Sequence, residues 1–97
     1  MAVRLRPATW ALEFASSASD FMETTTSAMR EIGYRTHTSS NDTHLFAPSL
    51  RLGILAGRIT VTVAKERATV DGPAVHVATL VRLLSNLNAV TEAGEVS

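Results

Sequence analysis

The stretch RITVTVAKERATVDGPAVHVATLVRLLSNL, residues 58–87, contains the two clearest elements of the chain. At its start, Ile59, Val61 and Val63 alternate with threonines, which is the period of a β-strand with one buried face. In its second half, apolar residues recur at intervals of three and four, which indicates an amphipathic helix of about fifteen residues. These apolar residues are Val77, Leu80, Val81, Leu84 and Leu87. A strand at 58–65 followed by such a helix predicts a mixed α and β domain.

Further strands and a second helix are predicted from the remaining sequence. TWALEFA, residues 9–15, alternates large apolar residues with small or polar ones, as a half-buried strand does. Asp20 is a residue type that caps a helix and Gly33 is one that ends it, so a helix is predicted over 20–32. Residues 68–71 stand before a Gly-Pro pair and predict a short strand ahead of the final helix.

A β-hairpin is predicted in the middle of the chain. Residues 34–38 and 43–47 flank SSND, a cluster of turn-forming residues. With residues 39–42 as the loop, His37 lies directly opposite His44. Two imidazoles at this separation can bind one divalent metal, but a zinc site needs a third or fourth ligand. The two histidines are therefore interpreted as surface residues, and no metal site is predicted.

The same register assigns the two faces of the sheet. It places Phe46 opposite Arg35 on the outer face. Thr60 and Thr62 lie on that face too, whereas the face that bears Tyr34 is predicted to meet the core. The outer face is interpreted as solvated, with Phe46 as a candidate contact with a partner.

The segment LRLGIL, residues 50–55, is more apolar than a connection between strands requires. Two interpretations are open, a further strand or an irregular apolar loop, and the strand is favoured. If exposed, these side chains form a contact surface. The predicted contact residues are Leu50, Leu52, Ile54, Leu55 and Phe46.

The order of elements is strand, helix, three or four antiparallel strands, helix. This order predicts an α+β fold with two helices packed on one face of a twisted, mainly antiparallel sheet. Residues 1–90 are predicted to form a single domain. Residues 91–97 show no hydrophobic period and are predicted to be a mobile C-terminal tail.

Composition and charge argue against several classes of function. The 97 residues include 9 basic and 9 acidic ones, whereas nucleic-acid-binding domains usually carry a marked basic excess. The chain has no cysteine, which excludes a disulfide, a thiolate zinc site and a cysteine nucleophile. No apolar stretch reaches the roughly 20 residues that span a bilayer, and no signal peptide is recognised. We therefore expect a cytoplasmic protein without nucleic-acid or membrane partners.

The sequence contains neither a G-x-S-x-G elbow nor a phosphate-binding loop, so no catalytic or cofactor-binding residue is predicted. The leading hypothesis is a non-enzymatic interaction or scaffold domain. It would self-associate, or bind another protein, through a sheet edge or through residues 50–55. A second hypothesis is a small apolar-ligand-binding protein with a pocket between helices and sheet. The residues expected to line that pocket are Trp10, Phe14, Met29 and Tyr34. A third is a metal-assisted hydrolase at His37 and His44.

Overall fold

The structure is a computed structural model that describes residues 6–49 and 57–96. Its elements follow the order β1 (Pro7–Glu13), α1 (Ala18–Ile32), β2 (Tyr34–Ser39), β3 (Thr43–Pro48), β4 (Ile59–Val63), β5 (Arg67–Pro73), α2 (Ala74–Asn86) and β6 (Glu92–Val96). The six strands form one antiparallel sheet in the order β2-β3-β4-β5-β1-β6. The predicted α+β class is confirmed, with four strands between the helices in the described residues, and β6 is an addition to the predicted order.

One face of the sheet is buried beneath the helices. In β4, Ile59, Val61 and Val63 are buried and the threonines between them are not, as their alternation predicts. The register sets Val61 opposite Val70 of β5, and Val70 in turn lies opposite Trp10 of β1. Because residues opposite one another share a face, the apolar row continues across the sheet. Apolar side chains of α1 and α2 join this row in one core cluster.

The helix α2 has the predicted spacing except at its last position. Its buried residues are Val77, Leu80, Val81 and Leu84. Leu87 is 57% exposed, because the helix ends just before it, at Asn86. Asn88, which follows Leu87, has a left-handed φ of 57°. Asparagine tolerates that conformation better than most residues do. Neither α1 nor α2, the helices of the described residues, is long and apolar enough to cross a membrane.

The helix α1 begins two residues earlier than predicted. Ser17, in an extended conformation, is the N-cap, and its Oγ accepts the N–H of Asp20 at 3.1 Å. Asp20 therefore lies in the first turn, where its carboxylate is favourable near the helix N-terminus, rather than at the cap. The predicted end is confirmed, because Gly33 has a φ of 114° and donates its N–H to the last turn of the helix.

The first strand is displaced toward the N-terminus relative to the prediction over 9–15. It ends at Glu13, and Phe14 follows it as a buried residue of the core. The ring of Phe14 stacks on that of Phe21 in α1, with centroids 4.2 Å apart and planes 12° from parallel. The N–H of Phe14 is bonded to the carbonyl of Glu66 at 3.0 Å, so this residue joins α1, β1 and the β4–β5 turn.

A sixth strand lies where the sequence predicts a tail without regular structure. The strand β6 pairs with β1, from Glu92 opposite Glu13 to Val96 opposite Thr9. The N–H and the hydroxyl of Thr91 both donate to the carbonyl of Glu13, at 2.7 and 3.2 Å. The strand has no hydrophobic period because it lies at the sheet edge and its side chains are mostly exposed.

One buried hydroxyl of α1 provides a test of core packing. Thr25 is fully buried, and its Oγ1 has no hydrogen-bond partner among the described residues. An unsatisfied buried polar group costs about 1–3 kcal/mol. Because valine has the same shape without the hydroxyl, we expect Thr25→Val to raise the free energy of unfolding by about 1 kcal/mol. Urea denaturation measures this change.

The control for this substitution is Thr26→Val in the same helix. Thr26 is half-buried and donates its hydroxyl to the carbonyl of Met22 at 2.8 Å, so its replacement should bring no gain in stability. A loss of stability in Thr25→Val would contradict the prediction and would mean that the Thr25 hydroxyl is hydrogen-bonded.

Candidate functional site

Four of the five contact residues predicted from the sequence belong to the segment 50–55. Leu50, Leu52, Ile54 and Leu55 lie outside the described residues. The proposal that they form a contact surface stays a prediction.

Phe46, the remaining predicted contact residue, is fully buried, so the prediction that it lies on the outer face is wrong. A β-bulge between Thr36 and Thr38 is the cause. It sets Phe46 opposite Thr36, where the predicted register sets it opposite Arg35. An extra residue in one strand reverses which face the following side chains share with the partner strand. Phe46 is thereby turned to the same buried face as Tyr34, whose predicted burial is confirmed.

The predicted histidine pair is also wrong. His37 lies at the bulge and is exposed, and His44 pairs with Ser39 instead. Ser39 Oγ and His44 Nδ1 are hydrogen-bonded at 2.7 Å. Across residues 6–49 and 57–96, no three His, Asp or Glu side chains are grouped closely enough to hold a metal ion. The geometry on which the hydrolase hypothesis depends is therefore not found.

Three of the four residues expected to line a ligand pocket belong to the closed core, and the fourth, Trp10, is half-buried and packs against it. Phe14, Met29 and Tyr34 are at most 2% exposed and pack in the core cluster of the described residues. The Tyr34 hydroxyl donates to the carbonyl of Gly57 at 2.8 Å, and burial raises the pKa of Tyr34 to about 12. Its ring meets that of His76 edge-on, with centroids 5.7 Å apart. Tyr34 thus fixes the end of the sheet where α2 begins.

The outer face of the sheet is polar, and several of its side chains interact with one another. Thr60 and Thr62 lie there, as predicted. On neighbouring strands of this face, Thr9 donates its hydroxyl to Asp71, and Arg67 Nε lies 3.3 Å from Glu13 Oε1. Glu13 also lies directly opposite Glu92 in the register, and these two side chains carry the same charge. Antiparallel sheets commonly leave one such face in water, so this surface requires no partner.

The two edges of the sheet are the features that require an explanation. Among the described residues, β2 is paired only with β3, and β6 only with β1. The edge strand β2 carries Arg35 and His37 and no acidic residue, and all of its residues after Tyr34 are exposed. The edge strand β6 carries Glu92 and Glu95 and no basic residue, and it is exposed apart from a half-buried alanine. The sheet therefore has one basic edge and one acidic edge.

The directions of the edge strands follow from the strand order. Five antiparallel pairings separate β2 from β6 across the sheet. Because an odd number of reversals leaves two strands in opposite directions, β2 and β6 run antiparallel to each other. The charges of both edges are visible in the sequence, but their positions depend on the strand order. Sequence reasoning named a sheet edge without identifying which strands form it.

The chain matches no protein-family model, and searches of curated proteins and of solved structures return no similar chain. The charge and direction of the two edges are therefore the observations from which a function is inferred.

Proposed function

We propose that the protein is a small non-enzymatic interaction domain that assembles with further copies of itself, edge strand to edge strand. The observation that supports this proposal is the opposite charge of two exposed edges, basic on β2 and acidic on β6. An exposed edge presents a row of unpaired N–H and C=O groups to any strand that approaches it. Opposite charges favour pairing of β2 with β6 over pairing of either edge with its own kind.

The geometry of the sheet suits this pairing. When two copies lie side by side with their helices on the same side, β6 of one copy runs antiparallel to β2 of the next. The antiparallel pattern of the sheet then continues from copy to copy. The two edges are of similar length, with 6 residues in β2 and 5 in β6. The bulge at His37 bends β2 and limits the regular pairing, so the expected contact is weak and reversible.

This contact joins two different surfaces, so it does not close on itself as a two-fold dimer does. The mass of the assembly should therefore rise steadily with protein concentration rather than stop at two chains. Because the contact is between exposed charges, the mass should fall as salt is added. Light scattering over a concentration series, at low and at high salt, measures both effects.

Charge reversal at the edges tests the contact directly. Arg35 and Glu92 both lie on the outer face, so we expect Arg35→Glu, and separately Glu92→Arg, to weaken the association about two- to fivefold, the range for exposed ion pairs. Combining Arg35→Glu with Glu92→Arg in one chain should restore association, because the charges that the two edges present on the outer face are then again opposite. Sedimentation velocity at fixed protein concentration compares the variants.

Two matched controls change the net charge equally but at exposed positions away from the edges. Arg82→Glu in α2 matches the first reversal, and Glu23→Arg in α1 matches the second. Both should associate as the wild type does. A wild-type protein that stays monomeric at every concentration, or controls that weaken association as much as the edge variants, would contradict the proposal.

A further inference from the structure

A pocket of about 710 Å³ opens on the helix side of the sheet, at the end where α1 begins. Its walls come from the first turns of α1, the β2–β3 turn, β3, the end of β4 and the β4–β5 turn. Ligand pockets in proteins commonly have volumes of roughly 300–1,000 Å³. This pocket is separate from the closed core that holds Phe14, Met29 and Tyr34, and it lies elsewhere than the pocket expected from the sequence.

The deeper wall of the pocket is apolar. Val63 is a buried core residue, and Met22 packs against the core from α1. Ala18 extends this wall at the first turn of α1. Methionine is flexible and polarisable, so its side chain adapts to apolar groups of different shape. The wall can therefore receive a hydrocarbon or aromatic group.

A fixed imidazole stands on the same wall. His44 shares the helix-facing row of β3 with Phe46, where an apolar residue would be expected, and it lies opposite Val61. It is only half-buried and lines the pocket. The hydrogen bond between Nδ1 and Ser39 Oγ holds the ring, and no described residue is hydrogen-bonded to Nε2. A polar group held in place before a ligand arrives is the kind that fixes ligand orientation in apolar pockets.

Two opposite charges lie among the remaining lining residues. Lys65, the only lysine of the chain, comes from the β4–β5 turn, and Asp42 comes from the β2–β3 turn. Lys65 and His44 are both groups that donate hydrogen bonds to an anion. The Asp42 carboxylate opposes an anion, so its removal should have the opposite effect to removal of the lysine.

We infer that this pocket binds a small organic acid with an apolar body. The apolar body lies on Met22 and Val63, and the acid group lies toward Lys65 and His44. This inference is independent of the edge pairing proposed above, because none of its residues belongs to β6 or to the charged positions of β2.

The test uses 1-anilinonaphthalene-8-sulfonate, a fluorescent aromatic sulfonate, as the probe. We expect saturable binding to the native protein, weakened about two- to fivefold by Lys65→Gln and tightened by a similar factor by Asp42→Asn. Ala18→Trp should abolish saturable binding, because Ala18 is exposed at the pocket and a large ring there fills it. Thermal unfolding of each variant establishes that it is folded.

The matched control is Ala78→Trp, which adds the same ring at an exposed position of α2 that does not line this pocket. It should bind the probe as the wild type does. The edge variant Arg35→Glu should also bind normally, which separates this test from that of self-association. Absence of saturable binding, or binding that survives Ala18→Trp, would overturn the inference. Opposite shifts in Lys65→Gln and Asp42→Asn support it, and shifts in the same direction would contradict it.

Discussion

Replacing Phe46 by alanine is expected to lower the free energy of unfolding by about 3–5 kcal/mol, the usual cost of removing a buried phenylalanine ring. Phe46 is fully buried on the helix side of β3, opposite Ile59 of β4. Proteins of this kind have total free energies of unfolding of about 5–15 kcal/mol. The substitution therefore removes a large share of the stability. Urea denaturation followed by circular dichroism measures the loss.

The matched control is Leu45→Ala, at the preceding position of β3. Leu45 is half-exposed on the outer face, opposite Thr60. Its replacement is expected to cost less than about 1 kcal/mol, because little apolar area is lost from the core. The register predicted from the sequence places Phe46 on the outer face, and because neighbouring residues of a strand face opposite sides, it turns Leu45 toward the core. A larger loss in Leu45→Ala than in Phe46→Ala would therefore support that register and contradict the bulge at His37.

The elements that could be predicted from the sequence are those with one buried and one solvated face. In β4, burial itself produces the alternation of Ile59, Val61 and Val63 with threonines. In α2, the same cause produces the spacing from Val77 to Leu84. A local pattern of apolar residues indicates which face of an element is buried. The predictions for β4 and α2 are confirmed because each of these elements buries only one face.

The bulge and the last strand could not be predicted, because neither has one buried and one solvated face. At the bulge, His37 and its neighbours after Tyr34 are all exposed, so no apolar side chain marks the point where the register changes. In β6, only one residue is even half-buried, so the strand has no hydrophobic period. Its existence depends on backbone pairing with β1, more than 75 residues earlier in the chain, as the bond from Thr91 to Glu13 illustrates.

The candidate sites could be predicted only in part. The charges at Arg35 and Glu95 are plain in the sequence, but they define two edges only because β1 lies between β5 and β6. The pocket joins Met22, His44 and Lys65 from three separate segments. Long-range pairing brings such segments together, and a single sequence contains no local signal of that pairing.

Gly72→Ala is expected to lower the free energy of unfolding by about 1–3 kcal/mol, the range for overpacking a well-packed interior. Gly72 lies in β5 between Ala8 of β1 and Ile59 of β4. A Cβ atom there would lie 2.8 Å from Ile59 Cγ1, 3.1 Å from the carbonyl oxygen of Arg58 and 3.2 Å from Ile59 Cα. Two of these three neighbours are backbone atoms, which cannot move without displacing β4. Urea denaturation of the purified variant measures the loss.

Gly94→Ala makes the steric origin of that loss testable, because it is the same substitution in another strand of the same sheet. Nothing lies within 4 Å of a Cβ atom at Gly94. Neither glycine has a positive φ, so alanine brings no backbone strain at either position. Without a clash, Gly→Ala usually stabilises by about 0.4–1 kcal/mol, because the unfolded chain loses conformational freedom. The two substitutions should therefore change stability in opposite directions. If Gly72→Ala stabilises the protein as Gly94→Ala does, the result would contradict the close approach of β4 to β5 at this position.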